Sequence, residues 1–339
     1  MKKKLYDIAI VGATGIVGAT TLSILEERKF PVKNIFFLAS KRSIGERLEF
    51  KGKSHVVKDL AEFDFTQTQI CFFCTGNAIS AEYAPKAAAS GNIVIDKSSH
   101  FRYDDDVPLI VPEVNPEALA GFRKKNLIAN PNCSATPVIV ALKPIYDAVG
   151  ISRVNVSTYQ SVSGTGKEAI NELAEQTACL LNAKPIKPKI YSQQIAFNIF
   201  PHCDDLEING YTREEMKIVW ETQKILNDKT IQINPTAVRV PVFFGHSAAV
   251  HIETQDKIAL QQALDLLADA PGIQLMTGKH QYPSPVRDAA GKDAVFVGRV
   301  REDISHPHGL DMWVVTDNLR KGAALNAVQI AEHLIAEYL

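Results

Sequence analysis

Ile8-Ala9-Ile10-Val11-Gly12-Ala13-Thr14-Gly15-Ile16-Val17-Gly18 is the stretch that decides the fold. Four apolar residues run into a glycine, which reads as a short buried strand stopped by a tight turn. From Thr14 to Lys29 the apolar positions Leu22, Ile24 and Leu25 follow a helical period, so a helix leaves the turn. Gly12, Gly15 and Gly18 keep the Gly-x-x-Gly-x-x-Gly spacing of a dinucleotide-binding turn, where glycines let the backbone approach a pyrophosphate. The helix N-terminus would add free N–H groups and the positive end of its dipole. The same spacing also occurs in ordinary glycine-rich turns; its place in the first strand–helix connection favours the nucleotide. Gly12, Thr14, Gly15, Ile16, Val17 and Gly18 are the candidate contacts.

Working outward, Ile35 to Leu38, Ile70 to Phe73 and Ile93 to Ile95 repeat the apolar run, and Ala78 to Ala89 is Ala-rich and helical. Strands alternating with helices predict a doubly wound parallel sheet. At the end of the second run stands Ala39-Ser40-Lys41-Arg42-Ser43, with hydroxyls, two cations and no carboxylate. An acidic residue there would grip the ribose 2′-hydroxyl of NAD. A guanidinium and hydroxyls suit a 2′-phosphate instead, so NADP is expected, with Ser40, Arg42 and Ser43 as contacts. The competing reading is a solvated basic turn.

The middle of the chain has longer, partly alternating strands: Val154 to Val162, Ala237 to Phe243, Ser247 to Glu253, Ala294 to Val300 and Met312 to Val315. Helices are expected at Lys167 to Leu181 and Ile258 to Leu267. A terminal helix from Ala324 to Tyr338 places Leu325, Val328, Ala331 and Ile335 on one face.

A length of 339 residues suggests two domains. Lys and Arg number 37 against 38 for Asp and Glu, a balance with no global pull toward nucleic acid or an anionic membrane. Lys2-Lys3-Lys4 ahead of an apolar stretch resembles a signal peptide, but three glycines interrupt that stretch and no cleavage pattern follows. No run reaches the ~18 apolar residues of a membrane helix. The five cysteines are scattered and odd in number, which fits a reducing, cytoplasmic setting. Cys71-Phe72-Phe73-Cys74 has metal-ligand spacing but lies in an apolar strand without a second ligand pair, so no metal is expected.

Asn130-Pro131-Asn132-Cys133-Ser134-Ala135-Thr136-Pro137 precedes the apolar run Val138 to Leu142 and reads as a turn feeding a helix, with Cys133 in its first turn. A thiol there sees the positive dipole end, the condition for a reactive thiolate, and nearby N–H groups would serve an oxyanion. By itself a cysteine reads equally as a small core residue. In Arg239-Val240-Pro241-Val242-Phe243-Phe244-Gly245-His246-Ser247 a cation and an imidazole bracket an apolar segment, and Gly245 suggests a bend that aims the ring. A satisfied structural histidine is the alternative.

Together with Ser98-Ser99-His100-Phe101-Arg102, Pro112-Glu113-Val114-Asn115, Thr158-Tyr159-Gln160-Ser161-Val162-Ser163-Gly164 and Thr212-Arg213-Glu214-Glu215-Met216-Lys217, these motifs resemble the bacterial aspartate-semialdehyde dehydrogenases over essentially the whole chain. The resemblance implies a Rossmann-type dinucleotide-binding domain of residues 1–132 and 317–339, plus a mixed α/β catalytic and dimerisation domain of residues 133–316. It implies a homodimer that interconverts aspartyl 4-phosphate and aspartate 4-semialdehyde with NADP. By the same resemblance Cys133 is the acylated nucleophile, Gln160 orients the acyl group and His246 is the general acid/base. Arg239 pairs with the substrate α-carboxylate and Glu214 with its amine. Arg102, Lys217 and Asn132 hold phosphate, and Gly164 and Asn318 are later cofactor contacts. Thr165 departs from the family pattern, which has Ala there. N-acetyl-glutamyl-phosphate reductase shares the thiol and the histidine, but its acylated amine would leave Glu214 without an ammonium. A non-catalytic nucleotide-binding paralogue is opposed by the retention of Cys133, Gln160, Arg239 and His246 together.

Overall fold

The computed structural model describes residues 4–339; Lys2 and Lys3 of the basic run lie outside the described residues. The chain packs as two units, Met1–Asn132 with Ala323–Leu339, and Cys133–Gly322. Residues 317–322, which the sequence reading grouped with the first unit, belong to the second. Asn318 is tied there, its carboxamide oxygen accepting from Gly245 N–H at 2.9 Å.

The first unit runs β1 (Tyr6–Val11), α1 (Ile16–Glu27), β2 (Val32–Ala39), β3 (Arg47–Phe50), β4 (Lys53–Val56), β5 (Lys58–Asp59), β6 (Ile70–Phe73), α2 (Asn77–Ala89), β7 (Ile93–Asp96) and β8 (Leu127–Ala129). Six strands form one sheet in the order β5-β2-β1-β6-β7-β8, all parallel. The winding reverses between β1 and β6, and ligands of such sheets bind outside the strand ends at that switch point. β6 and β7 are buried at every residue, which explains why they read as unbroken apolar runs. The C-terminal helix Leu325–Glu337 packs against α1 and β7 and buries Leu325, Val328, Ala331 and Leu334. Fully burying one such aliphatic or aromatic side chain contributes roughly 1.5–3 kcal/mol. The β3–β4 hairpin escaped the sequence reading because its strands are short and largely exposed. Its turn residues Lys51 and Gly52 take φ of 50° and 71°, the left-handed pair that suits a tight hairpin.

The second unit contains α3 (Ala135–Val149), β9 (Ile151–Gln160), α4 (Lys167–Leu181), α5 (Arg213–Ile225), β10 (Gln232–Arg239), β11 (His246–Thr254), α6 (Leu260–Asp269), β12 (Ile273–Met276), β13 (Val295–Glu302) and β14 (Gly309–Thr316). Its sheet has the order β10-β9-β11-β14-β13-β12; the β10–β9 and β13–β12 pairs are parallel and the rest antiparallel. α3, α5 and α6 pack against its strands. Two expectations change here. The strand expected at Ala237 to Phe243 is Gln232–Arg239, since Pro241 has no N–H for a ladder, whereas Pro235 is tolerated on the sheet edge. Cys133 lies ahead of the α3 N-cap Ser134, not inside the first helical turn.

Candidate active site

Register brings the site together. Arg239 lies opposite Gln160 at the C-terminal ends of β10 and β9, and antiparallel β11 begins beside them at His246. β14 ends at Thr316, opposite His246. Residues as far apart in sequence as Gln160 and Thr316 therefore meet at one end of the second sheet.

Cys133 Sγ stands 3.5 Å from His246 Nε2. On the other side of the ring, Nδ1 accepts from Ser161 N–H at 3.1 Å. Gly245, with φ of 85°, makes the bend that aims the ring; any side chain there would be strained. A free histidine has an ordinary pKa of about 6.5. Burial, joined by the Arg239 guanidinium, instead pushes the His246 imidazole down to about 3. Two glycines keep the space open. A Cβ on Gly164 would sit 3.2 Å from His246 Nε2 and 3.4 Å from Arg239 Nη1, and one on Gly322 would sit 3.0 Å from Cys133 Cβ.

Arg239 is 7% exposed, donates Nη1 to Ser161 O at 2.7 Å, and leaves Nε with no hydrogen-bond partner among the described residues. A buried guanidinium with a spare donor edge has the chemistry to bind an anion. Glu214 collects Lys217 Nζ at 3.0 Å, Gln160 Nε2 at 3.4 Å and Ser134 Oγ at 3.5 Å. Lys217 also donates to Asp204 at 2.7 Å. Both members of the Glu214–Lys217 pair are about nine-tenths buried, so they are not the solvated surface pair that spacing alone suggests. α5 aims them. Thr212 and Glu215 form a capping box, and Glu215 also accepts Ala237 N–H at 2.8 Å, pinning the helix to β10.

Asn318 is 1% exposed, and its carboxamide is taken up by Gly245, Ser161 and Ser163. Thr165, the departure from the family pattern, accepts the Tyr191 hydroxyl at 2.9 Å, and Arg239 lies over the Tyr191 ring at 6.0 Å. Ser161, Ser134, Tyr191 and Gly322 were missed as site residues. Ser161 at least sits in a quoted motif, next to Gln160, but its backbone role leaves no signature in sequence.

The first unit carries the other half of the candidates. Gly12 adopts φ of 80°, and a Cβ on Gly18 would lie 2.3 Å from Gly12 O, so only glycine permits this approach. α1 starts behind Gly15 with no capping side chain and no carboxylate in its first turn, which leaves its N–H groups for an anion. The loop thus fits a pyrophosphate. Thr14 Oγ1 reaches Ser43 Oγ at 3.3 Å, tying it to the basic turn, where Ser40 and Arg42 are exposed. Arg102 is buried and donates to Lys97 O at 2.7 Å; Asn132 is also buried. Among the described residues no three His, Cys, Asp or Glu side chains are arranged to hold a metal, and no helix is long and apolar enough to cross a membrane.

Comparison with known proteins bears on both units. The model of the semialdehyde dehydrogenase NAD binding domain matches residues 7–122, and that of the semialdehyde dehydrogenase dimerisation domain matches residues 142–321. The aspartate-semialdehyde dehydrogenase of Shewanella sp. (strain DB6705) is 59% identical over 333 residues, 98% of each chain. Aspartate-semialdehyde dehydrogenase 2 of Vibrio cholerae is equally similar, 59% over 98% of each chain. The crystal structure of aspartate semialdehyde dehydrogenase II from that organism, complexed with ASA, superposes with a TM-score of 0.98 at 58% identity, covering 99% of this chain and 100% of the other. With both family models matched and near-complete coverage at this identity, the chain belongs to the aspartate-semialdehyde dehydrogenase family.

Proposed function

We propose that this chain interconverts L-4-aspartyl phosphate and L-aspartate 4-semialdehyde plus phosphate, with NADP, through a thioester on Cys133. The observation that carries the proposal is the 3.5 Å approach of Cys133 Sγ to His246 Nε2 at a sheet end shared with Gln160 and Arg239. A thiol suits this task because it turns an anionic acyl phosphate into a neutral thioester and holds the carbonyl in place. Such an enzyme would supply the aspartate-family amino acids lysine, methionine and threonine, and diaminopimelate. The test mixes protein, NADP and L-aspartate 4-semialdehyde: a nicotinamide absorbance change that requires added phosphate supports the reading, and one that ignores phosphate sinks it.

In this reading Cys133 carries the acyl group, Gln160 orients it and His246 Nε2 faces the reacting centre. Arg239 takes the α-carboxylate on its open donor edge, and Glu214 takes the ammonium. Arg102, Asn132 and Lys217 serve the phosphate. The dinucleotide, when bound, supplies the two-electron redox chemistry. Gly12, Thr14, Gly15, Ile16, Val17 and Gly18 would hold its pyrophosphate, Ser40, Arg42 and Ser43 its 2′-phosphate, and Gly164 and Asn318 would border its reactive end. The chain would act as a homodimer that buries the open face of the second sheet, where Asn155, Ser157, His251 and Trp313 line a cavity of about 640 Å³. Five free cysteines fit the reducing cytoplasm.

Two outcomes follow from the anion sites. Arg239→Lys should raise the KM for semialdehyde far more than those for phosphate and NADP, because an ammonium cannot offer a guanidinium's bidentate fork. Steady-state kinetics with each substrate varied will show it; a defect selective for phosphate would mean the two anion sites are exchanged. Arg42→Ala should weaken NADP about 10- to 100-fold, the worth of a charge-assisted phosphate contact of roughly 1.5–3 kcal/mol, and leave NAD almost unchanged. Equal losses for both cofactors would make the Ser40 to Ser43 turn a solvated basic loop.

A further inference from the structure

A guanidinium grips a carboxylate through two parallel N–H bonds, so its plane has to be fixed before the anion arrives. In Arg239 that plane has two supports. Nη1 donates to Ser161 O at 2.7 Å, which sets one edge. The face lies over the Tyr191 ring, with Cζ 6.0 Å from the ring centre. One hydrogen bond alone would let the group swivel about it; a ring against the face prevents that.

The ring is itself held on several sides. Its hydroxyl donates to Thr165 Oγ1 at 2.9 Å, and burial pushes the hydroxyl pKa up, so the hydrogen stays on at neutral pH. Phe200 meets the ring edge to face, the centroids 5.6 Å apart. Residues 189–199 form no helix or strand, and two buried side chains of α4 supply the partners that their backbone lacks. Glu172, 4% exposed, accepts Lys189 N–H at 3.0 Å and Ile190 N–H at 2.6 Å. Gln176 accepts Ile195 N–H at 2.9 Å and Ala196 N–H at 3.1 Å. The segment then closes on Arg239 itself: Phe200 N–H donates to Arg239 O at 3.2 Å, and Arg239 N–H to Phe200 O at 2.9 Å. Both ends of this fastened segment therefore meet the same arginine, one through backbone and one through an aromatic face. Thr165 adds a contact particular to this chain, because the alanine of the family pattern has no oxygen to offer the Tyr191 hydroxyl.

We infer that Tyr191, oriented by Thr165, is a positioning residue that holds the Arg239 guanidinium in the plane that grips the substrate α-carboxylate. The inference rests on the reading of Arg239 as the carboxylate site. In this role Tyr191 acts on the affinity for semialdehyde and not on bond making at Cys133. The electron-rich face of the ring also offsets part of the cost of burying a cation.

Steady-state kinetics separate this role from general support of the loop. Tyr191→Leu keeps apolar bulk and removes the ring. The KM for semialdehyde should rise about 3- to 10-fold, the worth of one cation–π contact, with kcat and the KM for phosphate changed by less than about twofold. Lower kcat at an unchanged KM, or equal rises in every KM, overturns the inference. Tyr191→Phe and Thr165→Ala should each raise the semialdehyde KM about two- to fivefold, and the double variant no further, since both remove the same hydrogen bond. Thr165→Ser keeps the oxygen and should restore the unmodified value; additive losses in the double variant would sink the part given to Thr165. A second measurement needs no turnover. In the full chain labelled with ¹⁵N-arginine, the Arg239 Nε–H signal is identified by its loss in Arg239→Lys. Its hydrogen should exchange with solvent about tenfold faster in Tyr191→Leu than in the unmodified protein, and unchanged exchange overturns the inference. Absence of phosphate-dependent turnover in the unmodified protein would refute the proposed activity, whereas the exchange rate reports the hold of Tyr191 on Arg239 either way.

Discussion

Cys133→Ser abolishes turnover and leaves dinucleotide binding nearly intact. A serine hydroxyl lacks the thiolate's nucleophilicity at neutral pH, and the residues proposed to hold the pyrophosphate belong to the first unit, which the substitution does not touch. The structure also ranks the cysteines. Burial pushes Cys71 up to about 12 and Cys203 up to about 11, which leaves both as thiols at neutral pH. Cys179 is half-buried on α4, whereas Cys133 has His246 at 3.5 Å. Brief exposure to an electrophile followed by peptide mass spectrometry should therefore place the first adduct on Cys133. First labelling at Cys179 or Cys203, with activity surviving the serine change, would refute the thioester mechanism.

His246→Ala lowers turnover by about 10²- to 10⁴-fold, the range expected for losing either a proton-transfer group or a fixed donor to a developing oxyanion. Substrate binding should change less, since Arg239 and Glu214 remain. The pH profile carries the sharper message. With the imidazole pushed down to about 3, the ring is already neutral well below pH 5 and stays so as pH rises. The unmodified enzyme should then show no acid limb near pH 6.5 attributable to His246. An unchanged turnover number in the alanine variant would return His246 to a structural role.

The first unit was largely legible because its signals are local. A glycine fixes a turn, a run of four apolar residues fits a strand buried on both faces, and Ile70–Phe73 has the same bounds in sequence and structure. The β3–β4 hairpin and β8 were not legible, being too short to carry a period. In the second unit, Pro235 and Pro241 misplaced β10, because a proline's effect depends on whether its strand lies at an edge, which sequence does not state.

The site divides in the same way. Residue types and motif order alone marked Cys133, His246, Gln160, Arg239 and Glu214, since a thiol, an imidazole and a guanidinium in those contexts have few other uses together. Which of these groups meet was decided only by long-range packing. A cysteine 113 positions from its histidine becomes a partner through sheet register, and a Glu214–Lys217 pair becomes buried because α5 is pinned to β10. A histidine of ordinary composition is driven far below its usual pKa by burial and by Arg239. Desolvation and hydrogen-bond direction belong to the folded surroundings of a side chain, so sequence by itself determined which groups are present, and the tertiary structure decided their protonation and their partners.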